Sequence, residues 1–317
     1  MAMINEWKGC NELDIFQVIE SKTGIKCATV FLKRNSYVNR VYELENAESR
    51  ERFIVKFYRK GRWNKDMILT EHAVLHYLAE RDIPVIEPKT IENITLFETN
   101  EGLYFSLFPK VGGRALDELN AEQWRQIGRI LGRFHLSLAH FKPFNRDTWL
   151  PKNVSSRHLE TLMNSAIIPF HLEAEVKAAI EQFIVVADEP LRKLSLQPIH
   201  GDCHRGNIIF RPGEGLRLID FDDMVFGPCI QDIWMLLPDN WQDCEKEIDY
   251  LSEGYETFKP FPRQELCAIN YLQLMRQIHF SAWCAIQKEE PHFETFFSHL
   301  REDNHWRGLV RDLKRLA

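Results

Sequence analysis

The chain has little of what would mark it as secreted, zinc-stapled or membrane-embedded. Its seven cysteines (Cys10, Cys27, Cys203, Cys229, Cys244, Cys267 and Cys284) are odd in number and widely spaced, and no CxxC pair occurs. That pattern argues against a disulfide framework and fits a reducing cytoplasm. No apolar run approaches the ~20 residues needed to span a bilayer. The opening Met1-Ala2-Met3-Ile4-Asn5-Glu6-Trp7-Lys8 lacks the apolar run of a secretion signal. Positive charge is not in excess: 40 Lys and Arg stand against 46 Asp and Glu, a net charge of -6. Neither nucleic acid nor an anionic membrane is therefore expected as the main partner. Internal repeats and low-complexity segments are also missing. What is present is an ordinary globular composition, 44% hydrophobic and 27% charged over 317 residues, enough for one large domain or two modest lobes. A cytoplasmic monomer is expected.

The first third reads as strands with one helix. Cys27 to Lys33, Arg40 to Glu45 and Arg52 to Tyr58 are strand-like, the last rich in β-branched and aromatic residues. Asn64 can cap a helix that runs through Leu78, with Pro84 and Pro88 beyond it. Leu103 to Phe108 reads as a further strand. After Pro109 and Gly112-Gly113 helical spacing takes over, at Gln123 to Phe141, Glu173 to Ala187 and Leu266 to Gln287. Two short strand-like pieces, Asn207 to Phe210 and Leu216 to Ile219, interrupt the helices. The expectation is an α+β, bilobal fold, with a sheet-rich lobe over residues 1–109 and a larger, mainly helical lobe over residues 110–317.

The sharpest chemical signal is His200-Gly201-Asp202, followed by Asn207 and then by Asp220. Phosphoryl transfer from ATP needs a carboxylate to orient the accepting hydroxyl and metal ligands to neutralise the phosphates. Asp202 can orient the hydroxyl and take its proton late. Asn207 can offer an amide oxygen, and Asp220 a carboxylate, to Mg2+, a hard cation that prefers oxygen. An Asp before a turn is more often only a turn former, so the weight rests on the three residues together. His200 reads as loop support. A zinc site at His200, Cys203 and His204 lacks a fourth ligand at a customary spacing. Cys203 is either reactive or a small residue packed under the loop. In the first lobe, Lys56 sits within an apolar strand, where a bare ammonium is costly unless paired. Glu71 in the following helix is a suitable partner, with Glu80 as a competitor. Such a pair positions the α- and β-phosphates of ATP in kinases.

The residues that carry a family resemblance are Asn35-Ser36-Tyr37 with Asn39-Arg40-Val41-Tyr42, Phe53 to Arg59, Val111-Gly112-Gly113-Arg114, Ile199 to Asn207, Asp220-Phe221-Asp222-Asp223 and Gly227 to Leu237. In these strings the chain resembles the aminoglycoside-phosphotransferase and choline-kinase branch of the protein-kinase-like superfamily. It is more closely similar to the bacterial stress-response serine/threonine protein kinases of that branch. The likeness runs through most of the chain and weakens after about residue 240. It implies a kinase-like fold, ATP as donor, Mg2+ as cofactor and a protein acceptor hydroxyl, including the kinase's own. It implies Asp202 as catalytic base, Asp220 with it in catalysis, and Asn207 and Asp220 as metal ligands. Ser36 would lie in the phosphate-covering turn, joined in nucleotide binding by Lys56 and Glu71. The chain departs from ordinary protein kinases in having no GxGxxG before the second strand. Asp222 and Asp223 either reach the metals or cap the next turn, the latter being the preferred reading. Asp232 would brace the catalytic loop as a structural residue.

Two other readings stand beside this one. A small-molecule kinase of the aminoglycoside, choline or homoserine type would use the same core. A pseudokinase would bind nucleotide without transfer, against which the intact base, metal ligands and strand lysine all speak.

Overall fold

The structure, a computed structural model, describes residues 12–34, 38–115, 118–290 and 293–316. The chain divides into two compact units. One comprises residues up to Leu119 with Phe141–Asn145 and Arg205–Asp222; the other holds Asn120–His140, Arg146–His204 and the remainder from Asp223.

The chain begins with α1 (Glu12–Thr23), followed by β1 (Cys27–Arg34), β2 (Arg40–Asn46), β3 (Arg52–Phe57), α2 (Lys65–Ala79), β4 (Phe97–Glu98), β5 (Tyr104–Pro109) and β6 (Arg114–Ala115). Five of the strands form an antiparallel sheet in the order β1-β2-β3-β5-β4. Strand β3 shows why this sequence makes a sheet. Phe53, Val55 and Phe57 are buried at alternate positions, which leaves Ile54 and Lys56 on the opposite face. The buried face meets Ile15 and Ile19 of α1 together with Leu44, Phe105 and Leu107. Each such side chain, fully withdrawn from water, contributes roughly 1.5–3 kcal/mol. Asn64 caps α2 as expected, its side chain accepting the Met67 N–H at 2.9 Å.

The later elements are α3 (Ala121–Leu138), α4 (Ser156–Ser165), α5 (Phe170–Arg192), β7 (Leu196–Ile199), β8 (Ile208–Arg211), β9 (Gly215–Leu218), β10 (Val225–Pro228), α6 (Ile230–Trp234), α7 (Glu245–Tyr255), α8 (Ile269–Ile286), α9 (Phe293–Phe296) and α10 (Asp303–Leu316). Strands β8 and β9 belong to the first unit, where they form a small antiparallel sheet with β6. Strands β7 and β10 pair in the second unit. Helix α3 starts at a capping box, in which Asn120 and Gln123 satisfy each other's backbone N–H. It stops at Leu138 rather than at Phe141, with Ala139 as its C-cap and the Ala139 N–H bonding the Leu136 carbonyl in a tighter last turn. Helices α1, α4, α7, α9 and α10 lie outside the expected ones. The pattern of α10 is nonetheless plain, with Trp306, Leu309, Val310 and Leu313 buried at helical spacing. Among the described residues no helix is long and apolar enough to cross a membrane.

Helices α3 and α7 approach each other backbone to backbone, and glycine is what permits it. A Cβ at Gly128 would stand 2.1 Å from the Leu251 carbonyl oxygen, and one at Gly254 would stand 2.0 Å from that of Arg125. Both obstacles are main-chain atoms that cannot swing away. Gly128→Ala should therefore lower stability by on the order of 3 kcal/mol, the upper range for overpacking. Urea unfolding of the variant with no change in midpoint would refute this close-contact account.

Candidate active site

In the first unit the β8–β9 hairpin turns sequence distance into adjacency. Ile208 pairs with Leu218, and one step beyond, the Asn207 carbonyl accepts the Ile219 N–H at 3.0 Å. Asn207 and Asp220 thus stand at the same open end of one hairpin. Asn207 is buried, whereas the Asp220 side chain is about half exposed. Asp220 has φ 62°, a left-handed conformation that is unfavourable for a residue with a Cβ. Such strain persists where the surroundings hold it, and here it ends the strand and turns the carboxylate.

Lys56 projects from β3 towards the same segment. Its ammonium lies 3.1 Å from Asp220 Oδ1 and pairs more closely with Asp222 Oδ1. Burial alone would lower the Lys56 pKa, but Asp222, Asp220 and Glu71 outweigh it and hold the value well above the ordinary one. The lysine is therefore a fixed cation. Glu71 of α2 is buried and contributes to that field. Asp222 goes beyond the turn cap preferred from sequence: its second oxygen accepts a hydrogen bond from Asn39 Nδ2, while Asn39 Oδ1 accepts the Arg59 N–H. Ser36 lies outside the described residues. Asn207 and Asp220 supply an amide oxygen and a carboxylate, a donor set suited to magnesium. Among the described residues no three His, Cys, Asp or Glu side chains form a metal cage. Magnesium needs none, since it commonly takes one or two protein oxygens and completes its shell with phosphate and water.

In the second unit, the residues from His200 to His204 make a tight loop. The N–H groups of His200, Gly201 and Asp202 bond side chains, while that of His204 bonds the Asp202 carbonyl at 2.9 Å. Gly201 has φ 81°, and a Cβ there would stand 2.2 Å from the Asp223 carbonyl oxygen, so only glycine fits. His200 is fully buried, and its Nδ1 accepts the Asp202 N–H at 3.3 Å. Asp202 is mostly buried. Burial pushes its carboxyl pKa up and Asp223 adds to that, while Arg276 of α8, hydrogen-bonded to Oδ1, opposes the rise. Cys203 is fully buried, and burial raises its thiol pKa well above the ordinary value. It is a packed thiol, not a poised nucleophile.

The brace of this loop is Asp232 of α6, fully buried. Its Oδ2 accepts the His200 N–H at 2.8 Å, and its Oδ1 accepts the Gly201 N–H at 2.8 Å. His135 of α3 bonds Oδ2 through Nε2 at 3.1 Å and the Tyr255 hydroxyl through Nδ1 at 2.9 Å. The family resemblance points to Asp232 as the brace, whereas nothing in the sequence around His135, Tyr255 or Arg276 points to a role for them. His135 lies 97 residues before Asp232, and no local pattern announces such a pairing.

The profile of the phosphotransferase enzyme family APH matches residues 33–266. The chain is 34% identical over 286 residues to stress response kinase A of Shigella flexneri, covering 90% of this chain and 86% of that one. It is 34% identical over 277 residues to serine/threonine protein kinase RdoA of Salmonella typhimurium, covering 86% and 82%. Among solved structures it matches amicoumacin kinase hAmiN, in complex with AMP-PNP, Ca2+ and Ami, with a TM-score of 0.76 at 17% identity. That match covers 96% of this chain and 93% of the other. The fold is protein-kinase-like, of mixed α+β class.

The buried brace makes stability depend on pH. Burial disfavours a charged His135, but Cys229 and Asp232 outweigh it and raise the pKa from 6.5 to about 9. A group raised in the folded state lends stability below its unfolded pKa and loses it as pH climbs through the folded value. Between pH 6 and 9.5 the protein should lose up to roughly 3 kcal/mol relative to His135→Gln. Parallel pH profiles of unfolding free energy for the two proteins would count against a charged His135.

Proposed function

The chain belongs to the phosphotransferase enzyme family and is a kinase, and on that footing we propose that it transfers the ATP γ-phosphoryl group, with magnesium, to a serine or threonine hydroxyl of a protein. The observation that carries the transfer chemistry is the pairing of Lys56 with Asp220 and Asp222 at the hairpin end that also presents Asn207. A fixed cation and a hard-oxygen donor pair are what a nucleotide triphosphate and its metal require. The choice of a protein acceptor is supported by the names of the relatives, one of them a serine/threonine protein kinase and one a stress response kinase. A bacterial stress response is the proposed setting.

Each residue then has a separate task. Lys56, with Glu71 behind it, holds the α- and β-phosphates, and Ser36 belongs to the turn that covers them. Asn207 and Asp220 would hold magnesium, which when bound neutralises charge on the phosphate oxygens. Asp202 accepts a hydrogen bond from the acceptor hydroxyl and aims its oxygen at the γ-phosphorus. As the new O–P bond forms, the bond from the γ-phosphorus to the bridging oxygen breaks and ADP leaves. The hydroxyl proton passes late to an Asp202 oxygen. Asp232 acts at one remove by fixing the backbone of His200 and Gly201.

Asp202→Ala should lower transfer by about 10²–10⁴-fold, the usual share of a positioned general base, while nucleotide still binds by direct titration. Normal phosphorylation by this variant would remove Asp202 from the role. Asp220→Ala should abolish magnesium-dependent ATP consumption, which a pseudokinase would never show even as wild type. Labelled ATP should also mark the purified protein itself. Turnover of an amine library without such labelling would instead make the acceptor a small molecule.

A further inference from the structure

Arg276 stands on α8 with its guanidinium against the Asp202 carboxylate, Nη2 donating to Oδ1. The side chains are only 25% and 16% exposed, so water screens the pair less than it would at the surface. The helix beneath Arg276 is firmly seated. Met275 and Ile278 are fully buried. One turn on, His279 bonds His158 at 3.2 Å and packs edge-on against Trp149 with ring centroids 5.5 Å apart. Among the charged or titratable groups that act on Asp202 are Arg276, Asp223, His204 and His200. Of these His204 lies 3.6 Å from Oδ2, and Arg276 is the one permanent cation.

A kinase that phosphorylates amino alcohols or aminoglycosides must bring a positive charge close to its base. A fixed guanidinium at that position repels such a ligand. It has no quarrel with a peptide hydroxyl, whose immediate neighbours are neutral amides. An arginine bonded to one carboxylate oxygen also restricts how the carboxylate can turn.

We infer that Arg276 is a positioning and specificity-determining residue, which clamps Oδ1 of Asp202 and excludes acceptors carrying a cation beside the hydroxyl. This rests on the assignment of Asp202 as base to a protein acceptor.

The test uses the full chain as wild type, Arg276→Gln and Arg276→Lys, with labelled ATP. The acceptors are serine peptides with acidic, neutral or basic flanking residues, and choline, ethanolamine and kanamycin. Wild type should transfer to the peptides, disfavour the basic flank and ignore the three amines. Arg276→Gln should lower kcat on the order of 10- to 100-fold, the scale of a misplaced reacting group, with the KM for ATP unchanged and the flank preference gone. Arg276→Lys should restore part of kcat and keep the preference. Peptide transfer by Arg276→Gln with wild-type kcat and preference overturns this inference alone and leaves the protein-kinase reading intact. Wild-type turnover of the amines and of no peptide overturns both. Should Arg276→Gln melt below the assay temperature, Arg276→Lys carries the test, and an undiminished kcat in it overturns the clamp.

Discussion

Asp232 carries a carboxylate fully out of water, and both of its oxygens are engaged. Oδ1 takes the Gly201 N–H, and Oδ2 takes the His200 N–H and His135 Nε2. A buried carboxylate without such partners would cost several kcal/mol, and the two N–H groups would be orphaned without it. The loop and its brace are thus stable only together. Gly201 is driven into the left-handed region by this arrangement, and the next residue is Asp202. The direction of that side chain is set by the bonded backbone behind it and by Arg276, which donates to its Oδ1.

The brace in turn depends on helix packing. His135 comes from α3 and Tyr255 from α7, and their rings meet because the two helices cross at Gly128, Gly132 and Gly254. Gln197 of β7 donates to the His135 carbonyl at 2.6 Å and accepts from Lys259 at 2.6 Å. The network is closed on several sides by groups that satisfy one another, which is the condition for a buried polar cluster to be rigid.

The first unit solves a different problem with a different device. Lys56 must remain charged although it is largely buried, and three carboxylates (Asp222, Asp220 and Glu71) hold it so. Two of those carboxylates come from the segment that follows the β8–β9 hairpin. Hairpin register therefore decides both where the donor oxygens stand and what neutralises the lysine. A shift of one residue would exchange the two faces of β9 and move both groups at once.

Four of the five strands of the first sheet, the Asn64 cap and helices α2, α3, α5 and α8 are legible in the sequence, because burial at period 2 or 3.6 and local capping are written in neighbouring residues; the two-residue β4 is too short to show a period. The motif from His200 to Asn207 with Asp220 was legible for the same reason, its spacing being that of one loop and one hairpin. Helix α10 shows the same periodicity and could have been found by it. The partners of Lys56 are another matter. Glu71 stands 15 positions along the chain and was expected, whereas Asp222 stands 166 positions away, and nothing local separates its role from that of a turn cap. His135 on Asp232 and Arg276 on Asp202 are contacts of the same long-range kind, 97 and 74 residues apart. Residue identity is enough to point to the groups that the proposed phosphoryl transfer would need, since a carboxylate, an amide and a lysine are written directly in the chain. Which charge faces which is a matter of packing, because two side chains far apart in the chain meet only after the helices and strands that carry them have come together.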